Sequence, residues 1–78
     1  MSTKAEKILA ALGGADNIVE IEPCTTRLRA EVRDPSLVDD AALKRAGAVG
    51  VVRRGDALQV VVGPQADTIA SDIEDLLG

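Results

Sequence analysis

The sequence predicts an α+β fold: a four-stranded antiparallel sheet with three helices on one face, in the order α-β-β-α-β-β-α. Three observations carry that prediction. Apolar residues recur at helical spacing in three separate segments. Two pairs of strand-like runs lie between those segments, each pair joined by a short break. Each helical segment carries one apolar stripe, so placing all three against one sheet face is the economical packing. The 78 residues are expected to form a single domain, residues 1–78.

The elements follow in order. Ser2 and Thr3 precede the first helix, and Thr3 with Glu6 fits a capping box that satisfies free amides at the helix start. Ile8, Leu9 and Leu12 form its apolar face, and Gly13-Gly14 ends it. Asn17 to Glu22 reads as a strand, with β-branched bulk from Ile18, Val19 and Ile21. Pro23 suits a strand end because it has no amide to donate. Thr26 to Arg33 alternates: Leu28, Ala30 and Val32 point one way, and Arg27, Arg29, Glu31 and Arg33 the other. These two strands predict a hairpin with Cys24 at its tip.

Asp34-Pro35-Ser36 reads as a turn. Asp39 and Asp40 open the second helix, where carboxylates favour the positive end of the helix dipole. Leu43 packs inward, Lys44 and Arg45 occupy the last turn, and Gly47 stops the helix. Val49, Val51 and Val52 begin the third strand, and Ala57 to Val62 form the fourth. A tight turn at Gly55-Asp56 joins them, and Arg53-Arg54 beside it reads as a solvated hairpin tip. Gly63-Pro64 breaks the chain. Ala66, Ile69, Ala70, Ile73, Leu76 and Leu77 then recur at the spacing of a closing helix.

Composition removes whole classes of chemistry. With no histidine there is no imidazole base and no histidine metal ligand. With one cysteine there is no intrachain disulfide and no zinc site of the common thiolate type. With no Phe, Tyr or Trp there is no platform on which nucleic-acid bases stack. A net charge of -4 argues further against binding a phosphate backbone. No apolar run approaches the ~18 residues of a membrane span, so a soluble domain with no span of its own is expected. One thiol and no secretory pattern point to a reducing, cytoplasmic setting. No metal and no cofactor are expected.

Pro23-Cys24-Thr25-Thr26-Arg27-Leu28-Arg29 is the stretch that can carry chemistry. A lone cysteine is by default a small buried hydrophobe. Here it lies in a turn, between a proline and two threonines, with Arg27 and Arg29 on one strand face. Cations near a thiol favour its ionised form, which is the nucleophile. The amides of Thr25, Thr26 and Arg27 can curl into an anion-binding nest, and arginine adds bidentate pairing to phosphate-like oxygens. The competing reading of Arg27 and Arg29 is a solvated strand face paired with Glu22 and Glu31. Gln59, in an otherwise apolar strand, reads by itself as an outward residue of a half-exposed strand.

At Cys24-Thr25-Thr26-Arg27-Leu28-Arg29 the sequence resembles the phosphocysteine loop of the IIB domain of the bacterial phosphoenolpyruvate-dependent sugar phosphotransferase system, in its glucose and N-acetylglucosamine branch. The resemblance extends to Asn17-Ile18, Val38-Asp39, Leu43-Lys44, Gly47-Ala48, Gly50-Val51-Val52, Gln59-Val60 and Gly63, an ordered set across nearly the whole chain. It implies that Cys24 accepts a phosphoryl group from a phosphohistidine on a IIA partner. Cys24 would then pass it to glucose or N-acetylglucosamine held by a IIC membrane transporter. Thr25, Thr26, Arg27, Arg29 and Gln59 would bind the phosphoryl group, with Gln59 brought in by the resemblance alone. The domain is expected to be a monomer that meets the inner face of the cell membrane through IIC. Glu22 and Pro23 stand where many relatives carry Asp and a small residue.

Two other classes compete with a phosphoryl carrier. A non-catalytic interaction module would keep the fold, with an inert cysteine and a basic docking loop. A redox-sensing thiol protein would usually want a resolving cysteine, which the chain lacks.

Overall fold

The structure is a computed structural model and describes residues 4–78. Helix α1 spans Lys4–Ala11, and strands β1 (Ile18–Cys24) and β2 (Arg27–Val32) form the first hairpin. Helix α2 spans Asp40–Arg45, strands β3 (Gly50–Arg54) and β4 (Ala57–Val61) form the second hairpin, and α3 spans Ala66–Leu77. The element order and the antiparallel sheet agree with expectation; short 3₁₀ turns at Ala15–Asn17 and Pro35–Leu37 are added. The capping box at Thr3 lies outside the described residues.

The strand order is β1-β2-β4-β3, so β2 and β4 are central and the two hairpins join along them. Alternation decides the faces. Leu28, Ala30 and Val32 of β2 and Leu58 and Val60 of β4 are buried in one cluster with Ile8 of α1, Leu12 just after it, Leu43 of α2, and Ile69 and Ile73 of α3. Full burial of an aliphatic side chain of this size stabilises by roughly 1.5–3 kcal/mol. Helix α1 packs against α2 and α3, and α3 lies against β1. The opposite face of the sheet carries Glu22 and Cys24 of β1, Arg27, Arg29 and Glu31 of β2, Val52 and Arg54 of β3, and Gln59 of β4, all exposed or half-buried.

Several boundaries differ from the sequence reading for identifiable reasons. Cys24 is the last residue of β1, opposite Arg27, so the hairpin turns at Thr25-Thr26 instead of around the cysteine. Pro23 sits inside β1, which an edge strand tolerates because one side of it has no ladder partner. Asn17 belongs to the 3₁₀ turn before the strand. Val49 precedes β3 and is 77% exposed, although its amide still donates to the Val61 carbonyl at 2.7 Å. Leu76 and Leu77, in the final turn of α3, are exposed and do not continue the buried stripe of Ala66, Ile69, Ala70 and Ile73.

Asn17 is the buried polar residue that joins the layers. Its side-chain nitrogen donates to the Leu12 carbonyl at 2.7 Å and the Asp34 carbonyl at 3.1 Å, and its oxygen accepts from the Asp34 amide at 2.9 Å. It thereby ties the end of α1 to the connection that follows β2. Gly13 makes room for it: a Cβ there would lie 2.5 Å from the Asn17 side-chain nitrogen, and Gly13 has φ +105°. At the next turn the Ser36 hydroxyl and amide both donate to the Asp34 carboxylate, which holds that carboxyl below its ordinary range. Asp39 caps α2 by accepting from the Ala42 amide at 3.1 Å.

Arg53 is not a solvated tip. On the helix side of β3, it donates to the Pro35 and Val38 carbonyls, each at 2.8 Å, and pairs with Asp40 at 2.8 Å. It clamps the end of β3 to the entrance of α2. Arg53→Ala is expected to lower stability by about 1–2 kcal/mol, after allowing for the partial exposure of the ion pair. Urea denaturation checks this.

Candidate active site

Register places the sequence-predicted residues on the open sheet face. Cys24 lies opposite Arg27, which lies opposite Val61. One step along that face, Glu22 lies opposite Arg29, Arg29 opposite Gln59, and Gln59 opposite Val52. A further step brings Glu20, Glu31, Ala57 and Arg54 into a third row. Residues far apart in sequence thus become neighbours because β4 inserts between β2 and β3.

Cys24 is exposed and has its thiol free. It lines a shallow cavity of about 560 Å³ together with Arg27, Arg29, Gln59, Val52, Arg54 and parts of Ala57 and Leu58. That lining includes three arginines and no acidic residue, on a chain of net charge -4. The arrangement suits an anion held beside a nucleophilic sulfur. Arg27 donates to the Gln59 side-chain oxygen at 2.7 Å. Gln59 therefore holds a guanidinium through a neutral acceptor, and the cation keeps its full charge for a ligand. Arg29 instead pairs with Glu22 at 3.4 Å, both side chains being half-exposed or more.

Thr25 and Thr26 make the turn after Cys24 and do not line the cavity with it. Thr25 has φ +59°, the one non-glycine residue with positive φ among the described residues. A β-branched side chain is disfavoured there. The Thr26 carbonyl accepts from the amides of Val62 and Gly63 at 3.0 and 2.9 Å, which fastens the turn to the end of β4. Among the described residues, neither the Thr25 amide nor the Thr26 amide donates to a backbone carbonyl outside regular elements. Thr25→Gly is expected to stabilise the fold by about 0.5–1 kcal/mol, because relief of the left-handed strain outweighs glycine's larger loss of chain entropy. An increase in the urea midpoint checks it, and a decrease would show that the turn is unstrained.

Sequence reasoning missed Arg54, Val52 and Ala57 as cavity residues. Their strand parity and the β3–β4 hairpin were visible, but that this hairpin joins β2 through β4, across from Cys24, follows only from the strand order.

The fold is shared with a solved structure described as one domain of the PTS system, IIabc component, from Clostridium difficile. The TM-score is 0.79 at 25% identity, over 96% of this chain and 79% of that one. The class defined is therefore that of a phosphotransferase-system domain. The family described as "phosphotransferase system, EIIB" matches residues 6–39, which include the Cys24 loop. A relative named as an N-acetylglucosamine-specific EIIB component of the PTS system, from Streptomyces coelicolor, is 65% identical over 99% of this chain and 100% of its own length. The chain belongs to the EIIB family of the phosphotransferase system. A further relative, named as an alpha-glucoside-specific EIICB component from Leptotrichia buccalis, is 49% identical over 95% of this chain. The chain spans 14% of that longer protein. Among the described residues, no helix is long and apolar enough to cross a membrane.

Proposed function

We propose that this chain is a phosphocysteine carrier in sugar uptake and that Cys24 is the residue that carries the phosphoryl group. The observation that supports it most directly is an exposed thiol in a cavity lined by Arg27, Arg29 and Arg54 and by no carboxylate.

In the loading step, the Cys24 thiolate attacks the phosphorus of a phosphohistidine on a IIA protein. The S–P bond forms as the N–P bond breaks, and the imidazole leaves with the bonding pair. In the second step a sugar hydroxyl attacks the same phosphorus. An O–P bond forms, the S–P bond breaks, and the thiolate is regenerated while the hydroxyl proton passes to a base or to solvent on the acceptor side. Charge in such a transfer sits on the phosphoryl oxygens, so fixed donors do most of the work. Arg27 and Arg29 pair those oxygens, Gln59 aims Arg27, and the Thr25 and Thr26 amides and hydroxyls reach the group from the adjoining turn, outside the cavity. Phosphorylation adds about -1.5 to -2 charge, which the guanidinium groups offset. The acceptor is N-acetylglucosamine or glucose held by a IIC transporter. The name of the Streptomyces coelicolor relative supports the first sugar, and the EIICB name of the Leptotrichia buccalis relative supports the IIC partner. Contact with IIC would bring the domain to the inner face of the cell membrane.

The test is peptide mapping by mass spectrometry after incubation with phosphoenolpyruvate and the upstream carriers, IIA included. One phosphoryl group on the peptide containing Cys24 is expected. A group mapped to another residue, or none at all, overturns the proposal.

A further inference from the structure

Arg29 lines two spaces. On one side is the cavity that holds Cys24, Arg27 and Gln59; on the other is a small pocket lined by Glu20, Glu22 and Glu31. Its head group pairs with the Glu22 carboxylate at 3.4 Å, and Glu22 is its direct partner across the β1–β2 ladder. Arg27, two residues away, has a neutral partner in Gln59. The two arginines that the sequence presents as equivalent are therefore held differently: one with its charge unopposed, the other charge-paired.

We infer that Glu22 is a positioning residue that holds Arg29 toward the carboxylate pocket in the free protein and yields it to the phosphoryl group once Cys24 carries one. This rests on the carrier reading of Cys24. Glu22 lies on the same sheet face as Cys24, two residues before it, so its carboxylate is a like charge to any phosphoryl group on the sulfur. A dianion at Cys24 competes for Arg29 against one half-exposed carboxylate. Glu20 and Glu31 stand opposite one another in the next row, so the pocket that Arg29 leaves remains acidic and draws it back when the group departs. Arg27 serves both states, and Arg29 serves only the loaded one.

The test uses the full chain, with inorganic phosphate as the probe and NMR of the arginine side chains and of the Thr25 and Thr26 amides as the readout. Glu22→Gln is expected to bind phosphate at the loop roughly two- to fivefold more tightly than wild type, the range set by an exposed ion pair. Glu22→Asp should stay near wild type. In an Arg29→Gln background the gain from Glu22→Gln should shrink to little or nothing, since the effect runs through Arg29. In the wild type, phosphorylation of Cys24 should shift the Arg29 side-chain signal more than the Arg27 signal.

An equal gain in both backgrounds would mean that Glu22 acts directly on the anion, and the inference falls. It falls equally if Glu22→Asp behaves like Glu22→Gln, or if phosphate elicits no loop response in any variant and the Arg29 signal stays fixed on phosphorylation. A protein that takes no phosphoryl group at Cys24 defeats the carrier reading instead, while the phosphate titration still reports on Glu22 and Arg29.

Discussion

Replacing Cys24 with alanine is expected to abolish phosphoryl uptake and leave the fold intact. The side chain is exposed at the last position of an edge strand and contributes nothing to the buried cluster. Its loss should change stability by no more than about 0.5 kcal/mol, the usual range for a surface site. Cys24→Ser keeps the size and adds a hydroxyl, but an alcohol needs an adjacent base to act as a nucleophile, and the chain has no histidine to supply one. Both variants should therefore show no label from phosphoenolpyruvate and no transfer to sugar, with a thermal midpoint close to wild type. Label retained by either variant would place the acceptor elsewhere. An unlabelled variant that had also unfolded would say nothing about the sulfur, so the thermal melt belongs to the same experiment.

Asn17→Ala is expected to have the opposite profile, a large loss of stability with the thiol untouched. Three side-chain hydrogen bonds disappear, leaving the Leu12 carbonyl buried and the Asp34 amide and carbonyl partly buried without the partner they had. At roughly 1 kcal/mol for each bond, the cost is about 3 kcal/mol. That is a large part of the ~4–12 kcal/mol available to a chain of this length. The thermal midpoint should fall on the order of 10–20 °C, measured by circular dichroism because the chain has no aromatic fluorophore. A fall of less than about 3 °C would mean that water replaces the side chain at little cost.

The contrast between these residues shows what the sequence exposes and what it hides. The alternation of Leu28, Ala30 and Val32 with Arg27, Arg29 and Glu31 was legible because a strand with one buried face must repeat every second residue. The buried stripe of the last helix, Ala66 to Ile73, was legible for the corresponding reason at helical spacing. Leu76 and Leu77 do belong to that helix, but spacing alone does not show that they are exposed and stand outside its buried stripe. Arg53 was misread because its carbonyl partners at Pro35 and Val38 are tertiary and leave no local pattern. Cys24, Arg27 and Arg29 were found as a cluster because they are close in sequence. Gln59 entered only through family resemblance, and its bond to Arg27 depends on β4 lying beside β2. Which arginine is charge-paired was likewise beyond reach, since Glu22 and Glu31 were both possible partners by spacing.

One face of the sheet has no helix on it, and Cys24 lies there with Arg27, Arg29 and Gln59. A giver and a taker of the same group would both have to cover that single surface. They would exclude one another, so each cycle would require the first to let go before the second could arrive. Throughput would then be set by how briefly each visitor stays, and very tight grip on either side would slow the relay.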